Sequence, residues 1–239
     1  TTFDLGRSDA TGEPVVEMIR RGIIPSLCLT LPAFLAGIVC AVGVSLLLVA
    51  VRESPLDRWG IVLCVAIMSI PIIVYVIFGQ WVAANLLNYF PAFGFNLEGW
   101  TTARFIALPV SIMVLASLGS DVRLYRAIFL EEVRADYIRT AQAKGASGGR
   151  VLFVHVLKNG MISLITLVVA SLPFLIMGTL VVENFFGVPG LGNMMTNAIT
   201  TSDFALIRAN VYFGSLLFLF GLMLTDVCYA LFDPRIRLQ

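Results

Sequence analysis

Asp226, in "FLFGLMLTDVCYALF", and Asp121, followed by Arg123 and Arg126, are carboxylates set in otherwise apolar runs. A charge at the centre of a membrane helix costs about 2.5 to 3.5 kcal/mol, so each needs a structural or functional reason, substrate contact among them for Asp226. Helix packing or coupling is expected of Asp226, and a solvated or paired helix end of Asp121. An intramembrane enzyme built on either would be the alternative. His155 is the only histidine, which excludes an HExxH site, and Cys28, Cys40, Cys64 and Cys228 lack metal-ligand spacing. GxxxxGK[ST] does not occur. No catalytic site and no metal are therefore expected in this chain.

The elements that carry these residues are long and greasy. Hydrophobic residues make up 59% of the chain and charged ones 13%, against about 25% charged in a soluble domain, and the mean hydropathy is +0.93. Each membrane crossing needs roughly 20 apolar residues, and five stretches are candidates, with approximate edges: 23–51, 59–87, 104–118, 151–182 and 204–232. The net charge of +1 points to no nucleic-acid partner. Its distribution is informative, because cytoplasmic loops hold the excess of Lys and Arg. With the N-terminus outside, the inner side receives Arg52, Arg58, Arg123, Arg126, Arg134, Arg139, Lys144, Arg150, Lys158, Arg235 and Arg237, and the outer side only Arg7, Arg20, Arg21, Arg104 and Arg208. Residues 1–22 are then an extracytoplasmic segment, 23–232 the transmembrane domain and 233–239 a cytoplasmic tail. An external start and no initiating Met lead to the expectation that an earlier span precedes these five.

Ala33, Gly37, Ala41 and Ser45 recur every fourth residue, a spacing that lets helix backbones approach closely. Prolines 32, 71, 109 and 173 lie within or at the edges of spans. Gln80, Asn85, Ser111, Ser117 and Ser171 are polar groups that could line a path.

One basic turn interrupts the greasy second half: "ADYIRTAQAKGASGGRVLFVHVLKNG", within a cytoplasmic loop at about 131–150. Residues 131–144 lack Pro and Gly, and Val133, Tyr137, Ile138 and Ala141 fall at helical spacing, which predicts a short amphipathic helix stopped by Gly145. A small alanine face beside Tyr137 suits insertion into a groove on another protein. Contact of Arg134, Arg139, Lys144 and Arg150 with anionic lipid is the competing reading.

This stretch resembles the cytoplasmic loop of the membrane subunits of bacterial ATP-binding cassette importers, in the dipeptide, oligopeptide and nickel permease family, first-permease type. The likeness covers nearly the whole chain: "FDLGRS" resembles the external segment before a span, "VENFFGVPGLG" the family's "VETVFSWPGLG", and "YALFDPRIR" its C-terminal tail. Thr140, Ala141, Ala143, Lys144 and Gly145 fall on the family's "TAxAKG", preceded by Asp136, Tyr137 and Arg139, while His155 and Asn159 match the "H…RN" that follows. Departures are Arg139 in place of the general importer glutamate, as is usual in the peptide branch, Ser163 for a Pro, and Gly187-Val188 for Ser-Trp.

The resemblance implies an all-α, polytopic bundle of the type I importer kind in the bacterial inner membrane. It further implies a helix at 134–145 that couples to ATPase subunits, and partners comprising a second permease subunit, two ATP-binding subunits, an extracytoplasmic solute-binding protein and membrane lipid. ATP and magnesium would sit on the ATPases, with no cofactor in this chain. Peptides are the expected cargo, with nickel or another small solute the alternative within the family. A channel or receptor with a lipid-binding cytoplasmic turn is the alternative from another class. Gly190 and Gly192, in the outer loop at about 183–203, are expected to be structural or gating residues, with Asp226.

Overall fold

The computed structural model describes residues 5–82, 90–91, 93–96 and 100–232, with the side chains of 100–101 and 228–232 excepted. Asn85, the end of the second expected span and the tail at 233–239 lie outside the described residues. The described chain is helical: α1 (Val15–Ala50), α2 (Pro55–Met68), α3 (Ile72–Gln80), α4 (Trp100–Val133), α5 (Asp136–Ala143), α6 (Gly148–Arg150), α7 (Leu157–Met177), α8 (Leu180–Phe186), α9 (Leu191–Thr200) and α10 (Phe204–Phe232). Among the described residues the only β pairing is an isolated bridge between Arg7 and Pro14.

Four helical stretches are long and apolar enough to cross a membrane, and α2 with α3 forms a fifth if counted as one broken span. The break falls at Ser69–Pro71, where Pro71 is extended (φ −60°, ψ 143°) and supplies no amide to continue α2. Two helices outrun the expected spans, α1 and α4, whereas α7 stops at Met177, short of the expected 182. With 36 residues, α1 is about 54 Å long, well beyond a hydrocarbon core of about 30 Å. It begins at Val15 and holds Pro25 and Pro32 without ending. Instead of stopping near Leu118, α4 continues to Val133. Asp121, Arg123 and Arg126 are thus mid-helix rather than at a helix end, a correction to the expectation from their charge. Leu124, Tyr125, Phe129 and Leu130 supply enough apolar surface for the helix to continue past them.

The chain divides into two compact units: residues 1–34, 71–113 and 171–223, and residues 35–70, 114–170 and 224–239. The described members of the basic set assigned to the inner side, from Arg52 to Lys158, all belong to the second unit, and the five assigned to the outer side all belong to the first.

Two apolar clusters hold the first unit. Leu29, Val76, Leu108, Ile112, Val182 and Phe186 form one, and Val15, Ile19, Leu191, Ala198, Leu206 and Ala209 the other. The second unit packs Ala41, Leu46, Val49, Cys64, Val122, Phe129, Ile138, Val151 and Val156 together. Close backbone approach is visible within it: a Cβ on Gly119 would run into the carbonyl of Cys64, and one on Gly160 would lie 2.7 Å from Phe129. All four small residues of the Ala33, Gly37, Ala41, Ser45 series are buried, as expected for a packed helix face.

Candidate functional site

In the second unit the sequence around 131–150 builds a projecting turn. Glu131 to Lys144 is not one helix: α4 ends at Val133, and Ala135 is extended (φ −67°, ψ 146°) before α5 starts at Asp136. The break redirects the chain so that Ile138, 2% exposed, enters the core beside Phe129, Val151 and Val156. One buried side chain per two turns leaves the rest of α5 free. Asp136, Tyr137, Arg139, Thr140, Ala143, Lys144 and Gly145 are exposed, and Ala141 is half-buried.

Gly145 follows the C-cap with φ +83°, in the left-handed region, which explains its stop signal. The amide of Ala146 then donates to the carbonyl of Ala141 at 3.1 Å, and Ser147 caps α6 by accepting from the Arg150 amide at 3.4 Å. Residues Val151–Val156 wind as a π-helix before α7 begins, a local widening often found at functional sites. His155 lies in this segment, half-buried.

Tyr137 is tethered at both ends of the turn. Its hydroxyl donates to Glu132 and also bonds Asn159. Partial burial first, and the neighbouring Glu132 carboxylate second, push the phenol above its ordinary pKa, so it stays a neutral donor at physiological pH. The pair Arg139–Asp136, at 3.7 Å with both side chains largely exposed, adds little rigidity.

A further feature supports this turn from the same unit. Asp57, in the first turn of α2, receives a bidentate grip from Arg126, Nε to Oδ1 at 3.0 Å and NH2 to Oδ2 at 2.6 Å, and also accepts the Glu53 amide at 3.2 Å. The carboxylate is 7% exposed and the guanidinium 17%. Arg126 therefore serves Asp57, not Asp121. The signal was present in "SPLDRW", where Ser54 caps α2 and Pro55 opens it.

In the first unit the outer loop at 183–203 is itself largely helical, a hairpin of α8 and α9. Glu183 organises it. This carboxylate is fully buried and accepts from Ser26 Oγ at 2.9 Å, from the Thr179 amide at 3.0 Å and from the Asn193 amide at 3.0 Å. Ser26 Oγ in turn accepts the Leu191 amide at 2.8 Å. Burial raises the Glu183 pKa, and the donors from Asn193, Ser26 and Thr179 offset only part of that.

Gly190 and Gly192 find their reason here. A Cβ on Gly190 would collide with the Glu183 carboxylate and Ser26 Oγ, and one on Gly192 would lie 2.8 Å from the Leu180 amide and 3.0 Å from Glu183 Oε2. Gly178, with φ +71°, closes the opposite side of the same carboxylate. The two glycines therefore leave room for an acid the sequence reading did not single out. Glu183 is the only charged residue between Lys158 and Asp203, which was the available signal.

Beside the hairpin, Asp203 precedes α10 and accepts from Ser8 Oγ, from the Asp9 amide at 3.1 Å and from the Leu206 amide at 3.0 Å. Burial would raise its pKa, but these donors outweigh it and hold the carboxyl below its usual value. A cavity of about 390 Å³ opens here, lined by residues that include Thr11, Arg21, Pro189, Asn193 and Asn197.

The remaining expected residues do not converge. Asp226 is exposed on α10 and joins neither site. Gln80 donates to the Phe185 carbonyl at 3.0 Å, a tie between α3 and α8. Ser111 and Ser117 bond carbonyls of their own helix, those of Ala107 and Val114. Among the described residues no group of three or more His, Cys, Asp or Glu could hold a metal ion.

The arrangement suits transport: apolar helices, an exposed helical turn at one set of span ends and a rigid hairpin belonging to the other unit. Residues 33–238 match the family model described as "Binding-protein-dependent transport system inner membrane component". A Brucella abortus relative named for peptide transport is 32% identical over 240 residues, which cover 98% of this chain and 76% of the relative. A dipeptide transport system permease protein of Bacillus subtilis is 30% identical over 240 residues, covering 100% of this chain and 76% of that protein. A glutathione transport system permease protein of Salmonella typhimurium is 30% identical over 234 residues, covering 98% and 75%. A multi-pass helical protein of the inner membrane, the chain belongs to the family of binding-protein-dependent transport system inner membrane components.

Proposed function

We propose that this chain forms, with a second permease subunit, the translocation path for peptides, and that α5 transmits nucleotide-driven motion from two ATP-binding subunits. An extracytoplasmic solute-binding protein delivers cargo at the α8–α9 side. The observation that carries the coupling role is the exposure of Tyr137, Arg139, Thr140, Ala143 and Lys144 around one buried anchor, Ile138. That geometry offers a small, firmly rooted knob to a groove, the helix-in-groove mode of recognition. Anchoring matters because only contact that differs between the inward-open and outward-open states can shift their populations, and a loosely held helix would absorb the motion. The peptide assignment is supported by the names of relatives in Brucella and Bacillus and by the glutathione permease of Salmonella.

The test is cysteine substitution at Ala143 and Lys144 in the assembled transporter, followed by crosslinking to the ATP-binding subunits and by peptide uptake into proteoliposomes. Crosslinks whose yield changes with ATP, and uptake that requires ATP, are the expected result. Absence of any ATP-binding subunit from the assembly, or uptake unaffected by blocking both positions, would overturn it.

A further inference from the structure

Two cavities adjoin in the second unit, at the ends of α1 and α4, the second the more apolar. The first, about 350 Å³, is bordered by Arg52, Glu53, Asp57, Arg126, Arg134 and Arg139. The second, about 660 Å³, has walls that include Leu47, Val49, Leu152, Phe153 and Val156. Arg52, Val133 and Gln142 line both.

The charges of the first cavity do not cancel. Arg126 and Asp57 are closed upon each other. Arg139 is weakly engaged by Asp136 at 3.7 Å. Arg52 and Arg134 are exposed, and the one other carboxylate on the lining is Glu53. An anion is therefore attracted. The second cavity asks for something else, since water against its aliphatic and aromatic walls is unfavourable. Inorganic phosphate or an acidic peptide would satisfy the arginines and leave the apolar cavity wet. A molecule with a phosphate at one end and a hydrocarbon chain at the other satisfies both.

We propose that the double cavity binds one anionic phospholipid of the cytoplasmic leaflet, with its phosphate at Arg52 and Arg134 and the start of an acyl chain against Leu47 and Phe153. The placement fits the rule that basic pockets between membrane helices on the cytoplasmic side take anionic head groups. The inference shares with the proposed function the orientation that puts this end in the cytoplasm. Arg139 and Gln142 belong to α5, so a bound lipid props the inner flank of the proposed coupling helix.

The experiment titrates the detergent-purified, delipidated full chain with dioleoyl phosphatidylglycerol and counts bound lipid by native mass spectrometry. Dioleoyl phosphatidylcholine and glycerol phosphate are the comparison probes. One phosphatidylglycerol per chain should survive activation that strips phosphatidylcholine. The Arg52→Gln/Arg134→Gln variant should lose retention at least five-fold, and Ala50→Trp, which fills the apolar cavity, should lose it comparably. Both changes are at exposed positions, and Arg20→Gln/Arg21→Gln serves as the control that keeps full retention.

Equal retention of the two lipids, or unchanged retention in both variants, would overturn the site. Displacement by glycerol phosphate at the same concentration as by phosphatidylglycerol would overturn the two-part recognition. The readout needs no ATP and no ATP-binding subunit, so failure of the coupling role leaves it untouched, and loss of lipid retention leaves the crosslinks to the ATP-binding subunits to stand or fall alone.

Discussion

Ser26 and Glu183, 157 positions apart in sequence, share a hydrogen bond of 2.9 Å, and through it α1 holds the entire α8–α9 hairpin of the first unit. Ser26 donates to Glu183 and accepts from Leu191, while Glu183 gathers the amides of Thr179 and Asn193. Truncation to Glu183→Ala would leave buried donors unsatisfied, at roughly 1 to 3 kcal/mol apiece. A lowered midpoint of thermal unfolding in detergent, and faster amide exchange across residues 191–200, are expected.

The same carboxylate gives stability a pH dependence of definite sign. Its folded-state pKa is raised, chiefly by burial, so the folded protein binds this proton more tightly than the unfolded chain does. Its contribution is most favourable at low pH and declines as pH rises from the unfolded value, about 4.3, through the raised folded value. Unfolding midpoints measured across that window should fall more steeply in the native protein than in Glu183→Gln. Parallel profiles would refute a buried ionisable latch.

Asp203 carries the opposite sign. Its folded-state pKa is lowered, because donors from Ser8, Leu206 and Asp9 outweigh burial. The stabilisation is present above the unfolded value of about 3.9 and is lost as pH falls through the lowered folded value. Asp203→Ala should cost about 1 to 2 kcal/mol near neutral pH, the range for a lost helix N-cap, and flatten the acid limb of the stability profile.

The Asp57–Arg126 pair is bidentate, its carboxylate buried and its guanidinium largely so. Removing one partner strands the other charge, so Asp57→Ala and Arg126→Ala should each destabilise by about 3 to 5 kcal/mol. The double variant should be less harmful than the sum, which a double-mutant cycle of unfolding midpoints would reveal.

Gly145 has open space around its Cα but φ +83°. Strain rather than collision governs replacement: Gly145→Ala should cost about 1 to 2 kcal/mol, and Gly145→Asn less. If α5 couples nucleotide hydrolysis to uptake, Gly145→Val should slow ATP-dependent uptake while leaving the amount of protein in the membrane near normal. Undiminished uptake would argue against a required α5 geometry.

Hydrophobicity, five apolar stretches and the bias of Lys and Arg were enough to read a polytopic helical membrane protein from the sequence alone. Those signals depend on solvent transfer, which is summed residue by residue and survives ignorance of the fold. The TAxAKG and VENFFGVPGLG segments added the family because several short motifs occur in one order. Gly145 was legible as a helix stop, since only a residue without Cβ enters the left-handed region cheaply.

What tertiary structure decided is where side chains point. The break at Ala135 came from packing Ile138 into a core shared with Phe129 and Val156, which no local propensity encodes. Arg126 chose Asp57 across 69 positions over the nearby Asp121. Gly190 and Gly192 read only as structural or gating residues, with no partner named, until the fold brought Glu183 against them. Burial of an acid is settled by which donors converge on it, and convergence of Ser26, Thr179 and Asn193 exists only once the chain has folded.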